Sequence, residues 1–253
     1  MKLRDKVVVV TGSGGGIGEA FAHRFTEEGA KVVVTDLDPA GVDAVASAIG
    51  SVGFVGDICI EENVRAVADL ARSTYGEVDV WYSNAGFAGP RQPGELQDDA
   101  MWESSWSLHV MSHVYAARAV LPSMLERGEG YLLQTASVTA LSTQPEKAAY
   151  TVSKHAALAL SEWLAIAYRP RGIKVSCFCP GPMLTPMLLS NDFPEGHPVF
   201  DMAMTPAQVA DLLVRGIDEE RFLIVENDGG LDALRGRLDD YDGWLGTMGG
   251  SIA

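Results

Sequence analysis

Val7-Val-Val-Val-Thr-Gly-Ser-Gly-Gly-Gly-Ile-Gly18 decides the fold. The unbroken valine run lacks the polar alternation of a strand with one wet face, so it predicts a strand covered by helices on both sides of a parallel sheet. The glycine-rich turn from Thr11 to Gly18 then opens a helix expected over 17–29. A turn without β-carbons at a helix start lets backbone N–H groups meet a pyrophosphate, and the helix N-terminus favours its negative charge. The spacing is not G-x-G-x-x-G: counted from Gly12 and Gly14 the last position is Ile17, and from Gly14 and Gly16 it is Glu19. It is G-x-x-x-G-x-G at Gly12, Gly16 and Gly18, with Ser13 and Ile17 inside the same turn.

Outward from this turn, strand and helix alternate to the end of the chain. Strands are expected over 7–10, 31–35, 52–55, 78–82, 131–134, 174–178 and 222–225, and helices over 43–48, 61–75, 98–125, 147–168 and 206–216. The pattern predicts one α/β domain over 1–253, a Rossmann-like doubly wound parallel sheet of about seven strands with ligands at their carboxyl ends. Asp36 closes the second strand, where a carboxylate can accept both ribose hydroxyls of an adenosine and repels a 2′-phosphate. Neither Ser13 nor Leu37 supplies positive charge for such a phosphate, so NAD is expected over NADP; a plain strand-end cap is the other reading of Asp36. The segment 183–205, rich in proline and methionine, suits a substrate lid. In the tail, 229–253, Leu231, Leu234, Leu238, Tyr241 and Leu245 stand at near-helical spacing.

Charge narrows the partners. Nineteen basic against thirty-four acidic side chains give 253 residues a formal net charge of −15. That surface repels phosphate backbones and anionic lipid, so no nucleic-acid or membrane partner is expected. No segment is long enough to span a bilayer, and the N-terminus enters a strand without the features of a signal peptide. Cys59, Cys177 and Cys179 read as buried thiols of a cytoplasmic protein, the last two on one strand face and poorly placed to bridge each other.

The chemistry lies further on. Tyr150 and Lys154 are four residues apart and share a helix face, so the ammonium can lower the phenol pKa, and Ser137 can hydrogen-bond a substrate oxygen. Taken with the glycine turn, these residues resemble the short-chain dehydrogenase/reductase family across nearly the whole chain. The resemblance implies that Gly12, Gly16 and Gly18 form the cofactor turn and that Asp57 and Ile58 flank the adenine. Ser83-Asn84-Ala85-Gly86 resembles the family's Asn-Asn-Ala-Gly, with serine in the first position. Ser137, Tyr150 and Lys154 match its catalytic serine, tyrosine and lysine. Pro180 and Gly181 match the turn that passes the nicotinamide and Thr185 the threonine that bonds its carboxamide, with Met183 between them.

One residue departs from the family. Trp102 and Pro122 place His109 where many members carry a catalytic asparagine that holds a water on the proton path from the lysine. Two readings stand: the imidazole relays that proton, or it only packs. His113 lies one turn on, yet no third ligand suggests a metal. The implied reaction is hydride transfer between NAD and a secondary alcohol or ketone. The apolar stretch Met183, Leu184, Met187, Leu188, Leu189 and Phe193 has few positive charges and points to a neutral, fairly hydrophobic substrate, with Thr139, Leu141 and Gln144 as further pocket walls. A nucleotide-binding sensor or scaffold and a carrier-linked 3-oxoacyl reductase are the rival classes. A homo-oligomer, tetramer or dimer, is expected from the family.

Overall fold

The valine run forms the centre of the sheet. In the computed structural model, which describes residues 1–92, 94–189, 193–194, 196–226 and 228–250, β1 (Val7–Thr11) is buried along its whole length. It pairs in parallel with β2 (Lys31–Asp36) on one side and β4 (Val80–Ser83) on the other, so that Val9 faces Val33 and Trp81. β3 (Val52–Val55) lies outside β2; β5 (Gly130–Thr135), β6 (Ile173–Cys179) and β7 (Leu223–Val225) extend the other edge. The seven strands run parallel in the order β3-β2-β1-β4-β5-β6-β7. The order reverses between β1 and β4, which opens a crevice at their carboxyl ends.

Helices cover both faces. α1 (Gly16–Glu27), α2 (Pro39–Ile49) and α9 (Pro206–Asp218) sandwich one apolar layer in which Phe21 packs on Tyr82 at 5.2 Å and edge-on to Phe178. α3 (Glu61–Tyr75), α4 (Asp99–Trp106), α5 (Ser112–Arg127) and α6 (Ala148–Tyr168) cover the other. Short helices α7 (Pro186–Leu189) and α8 (Val199–Met202) follow β6, and α10 (Asp228–Asp239) and α11 (Tyr241–Gly250) form the tail. Among the described residues, no helix is long and apolar enough to cross a membrane.

The departures from the sequence reading have local causes. α2 starts four residues earlier than expected because Asp38 caps it, accepting from the Ala40 and Gly41 N–H groups, and Pro39 occupies the first turn. The strand expected from residue 78 begins at Val80, because the Asp79 carboxylate and N–H are turned onto the Val7 backbone. The long helix expected over 98–125 contains a π turn at Ser107–Met111, which joins α4 to α5 and carries His109. The tail's helical spacing resolves into two helices that part at Asp240, whose carboxylate accepts from the Gly243 N–H at 2.9 Å. Cys177 and Cys179 share a face of β6, and their sulfurs stand 3.8 Å apart as free thiols.

Candidate active site

The carboxyl ends of β1, β2, β4, β5 and β6 open into one cleft of about 870 Å³. Its adenosine end is built from backbone. Gly12 has φ +65°, and a β-carbon there would stand 2.7 Å from Ala85 Cα; one on Gly18 would stand 1.9 Å from the Gly12 carbonyl oxygen. The turn therefore stays bare, the cradle a dinucleotide needs. Gly12, Gly16, Ile17 and Gly18 line the cleft, with Asp36, Leu37, Asp57 and Ile58 beyond them. Gly14 N–H donates to Asp36 Oδ2 (3.0 Å), while Leu37 N–H (2.7 Å) and Asp38 N–H (3.2 Å) donate to Oδ1. A carboxylate offers about four lone-pair sites, so this one is held in place and can still accept a ribose hydroxyl. Ser13 corrects the sequence reading: it is fully buried off the cleft, its hydroxyl donating to the Val10 carbonyl and accepting from the Thr35 N–H.

Asn84, Ala85 and Gly86 also line the cleft. The Asn84 side chain is structural as well: its Nδ2 donates to the Thr11 carbonyl (3.0 Å) and its Oδ1 accepts from the Thr135 hydroxyl (3.4 Å). Thr135 in turn offers its carbonyl to Lys154 Nζ at 3.0 Å. A single residue at the end of β5 thus ties the glycine turn to Lys154.

At the opposite end, Ser137, Tyr150 and Lys154 meet in the cleft beside Pro180, Gly181, Met183 and Thr185. Ser137 follows β5, caps the short turn after it by accepting from Thr139 N–H, and shares the cleft with the Tyr150 phenol. Burial pushes that phenol above the ordinary tyrosine value, and the Ser137 hydroxyl pulls it part of the way back. Burial also brings Lys154 down to about 8. The expectation that Lys154 sets the phenol pKa is corrected: its Nζ is turned onto Thr135, 5.7 Å from the phenol ring centroid, and Ser137 is the group that opposes burial.

His109 is fully buried against this set, edge-on to the Tyr150 ring at 5.6 Å. Both its nitrogens have partners. Nε2 accepts from Phe87 N–H (3.3 Å), which puts the proton on Nδ1, and Nδ1–H donates to Ser153 Oγ (2.9 Å). The Ser153 hydroxyl donates onward to the Tyr150 carbonyl (3.0 Å). Burial and the charge of Lys154 hold the imidazole neutral, well below its ordinary pKa. The geometry favours bracing the Tyr150 turn of α6 over shuttling protons. His113, fully buried behind it, falls to about 3, and its Nδ1 has no partner among the described residues.

The substrate side is walled by Phe87, Leu108, Thr139, Gln144, Met183, Met187, Leu188 and Phe193. Of the residues expected there, Leu184 and Leu189 lie off the cleft, and Leu141 packs behind it near Cys177 and Cys179. Arg91 lies over the Phe193 ring at 4.7 Å and pairs with Glu146, pinning the segment after β6 to the loop after β4. Phe87, Ser153, Thr135 and Lys147 were not singled out from sequence. Lys147 carried a signal in its place three residues before Tyr150, one helical turn away.

A family model for short chain dehydrogenases matches residues 6–193. The chain is 34% identical over 254 residues to 1-deoxy-11-beta-hydroxypentalenate dehydrogenase of Streptomyces exfoliatus, covering 95% of this chain and 90% of the relative. It is similar in structure to a short chain dehydrogenase/reductase from Burkholderia phymatum in complex with NAD, at TM-score 0.84 and 26% identity, covering 96% of each chain. The crystal structure of levodione reductase matches at TM-score 0.82 and 25% identity, covering 90% of this chain and 98% of that one.

Proposed function

Because the chain belongs to the short-chain dehydrogenase/reductase family, we propose that it is an NAD-dependent oxidoreductase interconverting a hydrophobic secondary alcohol and its ketone. The observation that carries this reading is one cleft holding both the bare glycine turn with Asp36 and the Ser137, Tyr150 and Lys154 set. The relative from Streptomyces exfoliatus, named for dehydrogenating a hydroxylated compound, is in keeping with it. When bound, NAD supplies the hydride acceptor and a positively charged ring. Gly12, Gly16 and Gly18 would hold its pyrophosphate, Asp36 the adenosine ribose, Asp57 and Ile58 the adenine, and Thr185 the carboxamide. For oxidation, Ser137 and Tyr150 hold the substrate oxygen and Tyr150 takes its proton. Lys154 remains largely protonated at pH 7, its ammonium held on the Thr135 carbonyl at the floor of the cleft. The apolar walls exclude water and grip the carbon skeleton, with Met183 and Met187 adapting to its shape.

The test is cofactor consumption over neutral secondary alcohols, diketones and hydroxysteroids, with NAD and NADP in both directions. Turnover with NAD is expected; none with any substrate, or a strict NADP requirement, would overturn the reading. We extend it to a cytoplasmic homo-oligomer with residues 183–205, of which 190–192 and 195 lie outside the described residues, as a lid. Val152, Trp163 and Ile166 fall on one outer face of α6, with Ile166 79% exposed, and Trp102 and Trp106 are exposed on α4. Light scattering showing a monomer at micromolar concentration would sink the oligomer. Leu234 packs against the buried cluster that contains Leu141, Cys177 and Cys179, which supports a tail that stays on its own subunit.

A further inference from the structure

The walls at the substrate end differ in kind. Apart from Thr185, the segment after β6 contributes apolar side chains there, Met183, Leu188 and Phe193 among them, whereas the loop that runs from β5 to α6 contributes the hydroxyl of Thr139 and the amide of Gln144. A hydrophobic skeleton accounts for the first wall and not for the second. The backbone of Gln144 is engaged with the start of α6: its N–H donates to Thr151 Oγ1 (3.3 Å), and its carbonyl accepts from that hydroxyl (3.0 Å) and from the Lys147 N–H (3.1 Å). Thr151 adjoins Tyr150, so the turn of helix that places the phenol also places Gln144. Among the described residues, neither the Gln144 amide nor the Thr139 hydroxyl has a hydrogen-bond partner. Water can serve both groups while the cleft is open. A substrate that is hydrocarbon on this side would strip that water and return no bond, so these groups select against it; a substrate with an oxygen in reach restores the bond.

We propose that Gln144 is a specificity-determining residue that reads a second oxygen on the substrate, so that the preferred substrate is a neutral, largely apolar secondary alcohol or ketone carrying a further ether, carbonyl or hydroxyl oxygen. The proposal rests on the oxidoreductase reading above and narrows it from a hydrophobic alcohol to a doubly oxygenated one. The second oxygen is bound and not changed: hydride and proton leave the carbinol held by Ser137 and Tyr150. An amide offers two N–H donors and a carbonyl acceptor, so it can meet an ether or ketone through N–H and a hydroxyl through either group. Because Gln144 and Tyr150 are fixed to one turn of α6, the spacing between the two oxygens is fixed as well, and a rigid ring loses the least freedom on being held at both. Held at two points, the substrate presents one carbon for hydride transfer, so the same contact chooses which oxygenated carbon reacts.

Matched probes separate the oxygen from the shape around it: cyclohexanols bearing a methoxy, hydroxymethyl or ethyl group at carbon 2, 3 or 4, cis and trans. The readout is NADH and ketone formation by the full chain with NAD. In at least one position the methoxy and hydroxymethyl probes should exceed the ethyl probe in kcat/KM by about tenfold or more. Gln144→Leu should bring both ratios to about one or below. Gln144→Glu, an acceptor only when ionised, should lose the methoxy preference and keep the hydroxymethyl one, a split that a merely structural role would not produce. NAD affinity, followed by fluorescence, reports whether each variant is folded. Ratios at or below one in the unmodified protein, or ratios unchanged in Gln144→Leu, would overturn the subsite while leaving the dehydrogenase reading intact; so would turnover of the wider panel with none of these probes. If nothing in either set turns over, the dehydrogenase reading itself falls and takes the subsite with it.

Discussion

The two ends of the cleft are made by different means. At the adenosine end, bare glycines and backbone N–H groups fix Asp36, and the residues involved lie within 27 positions of one another, from Gly12 to Asp38. At the substrate end, side chains from β5, the π turn, α6 and the segment after β6 are gathered from residues 87 to 193. There, buried phenol, ammonium and imidazole groups are all displaced from their ordinary pKa values. One end binds by local geometry, and the other works by desolvation. The contrast predicts that substitutions at one end leave the signature of the other unchanged.

The strongest way to break this contrast is Tyr150→Phe. It should lower kcat on the order of 10³-fold while NAD affinity stays within about threefold. A loss of NAD binding of the same size would show the ends to be inseparable. Asp36→Ala probes the converse. Losing a charge-assisted hydrogen bond worth about 1.5–3 kcal/mol should weaken NAD by about 10- to 150-fold. The gap to NADP should narrow, and the pH profile of kcat should not move; titration of both cofactors and rates from pH 6 to 10 decide it.

Acid stability sharpens the comparison further. His113 titrates near 3 in the fold against about 6.5 unfolded, and His109 is likewise depressed. Their contribution to stability is complete above pH 6.5 and is lost as pH falls toward the folded values, because the unfolded chain then binds more protons. His113 alone should remove about 1.6 kcal/mol between pH 6.5 and 5, and His109 acts in the same direction. Urea unfolding of His113→Leu at both pH values should recover that share of the loss, and an unchanged slope would contradict the assignment. The smallest effect is expected for His109→Asn, which should hold kcat within about threefold. His109→Ala, by releasing Ser153, should lower it more. If both variants match the parent from pH 6 to 10, His109 contributes only volume.

Legibility from sequence follows the same division. β1, the glycine turn and Asp36 could be read directly, since an apolar run, missing β-carbons and a strand-end carboxylate each act through neighbours close in the chain. Ser13 escaped because its side chain looks competent for phosphate and only the structure shows it bound to Val10 and Thr35. The tyrosine, lysine and serine were found by their spacing, but the electrostatics between them were misjudged. Lysine direction and phenol burial depend on Thr135, Ser137 and the depth of the cleft, which no periodicity encodes. The π turn left no pattern either, because one inserted residue preserves the helical repeat on both sides of it.

Thr135 qualifies the separation of the two ends. Its hydroxyl reaches Asn84, whose amide holds the strand-to-turn junction at Thr11, and its carbonyl holds Lys154. In terms of evolvability, this makes the floor of the cleft a shared constraint: a change there alters cofactor grip and proton handling together, so few such changes can be neutral. Among the described residues, the wall residues Met183, Leu188 and Phe193 stand outside that chain of hydrogen bonds. Divergence toward new substrates has its open ground in those walls, where a substitution leaves the hydrogen bonds of the floor in place.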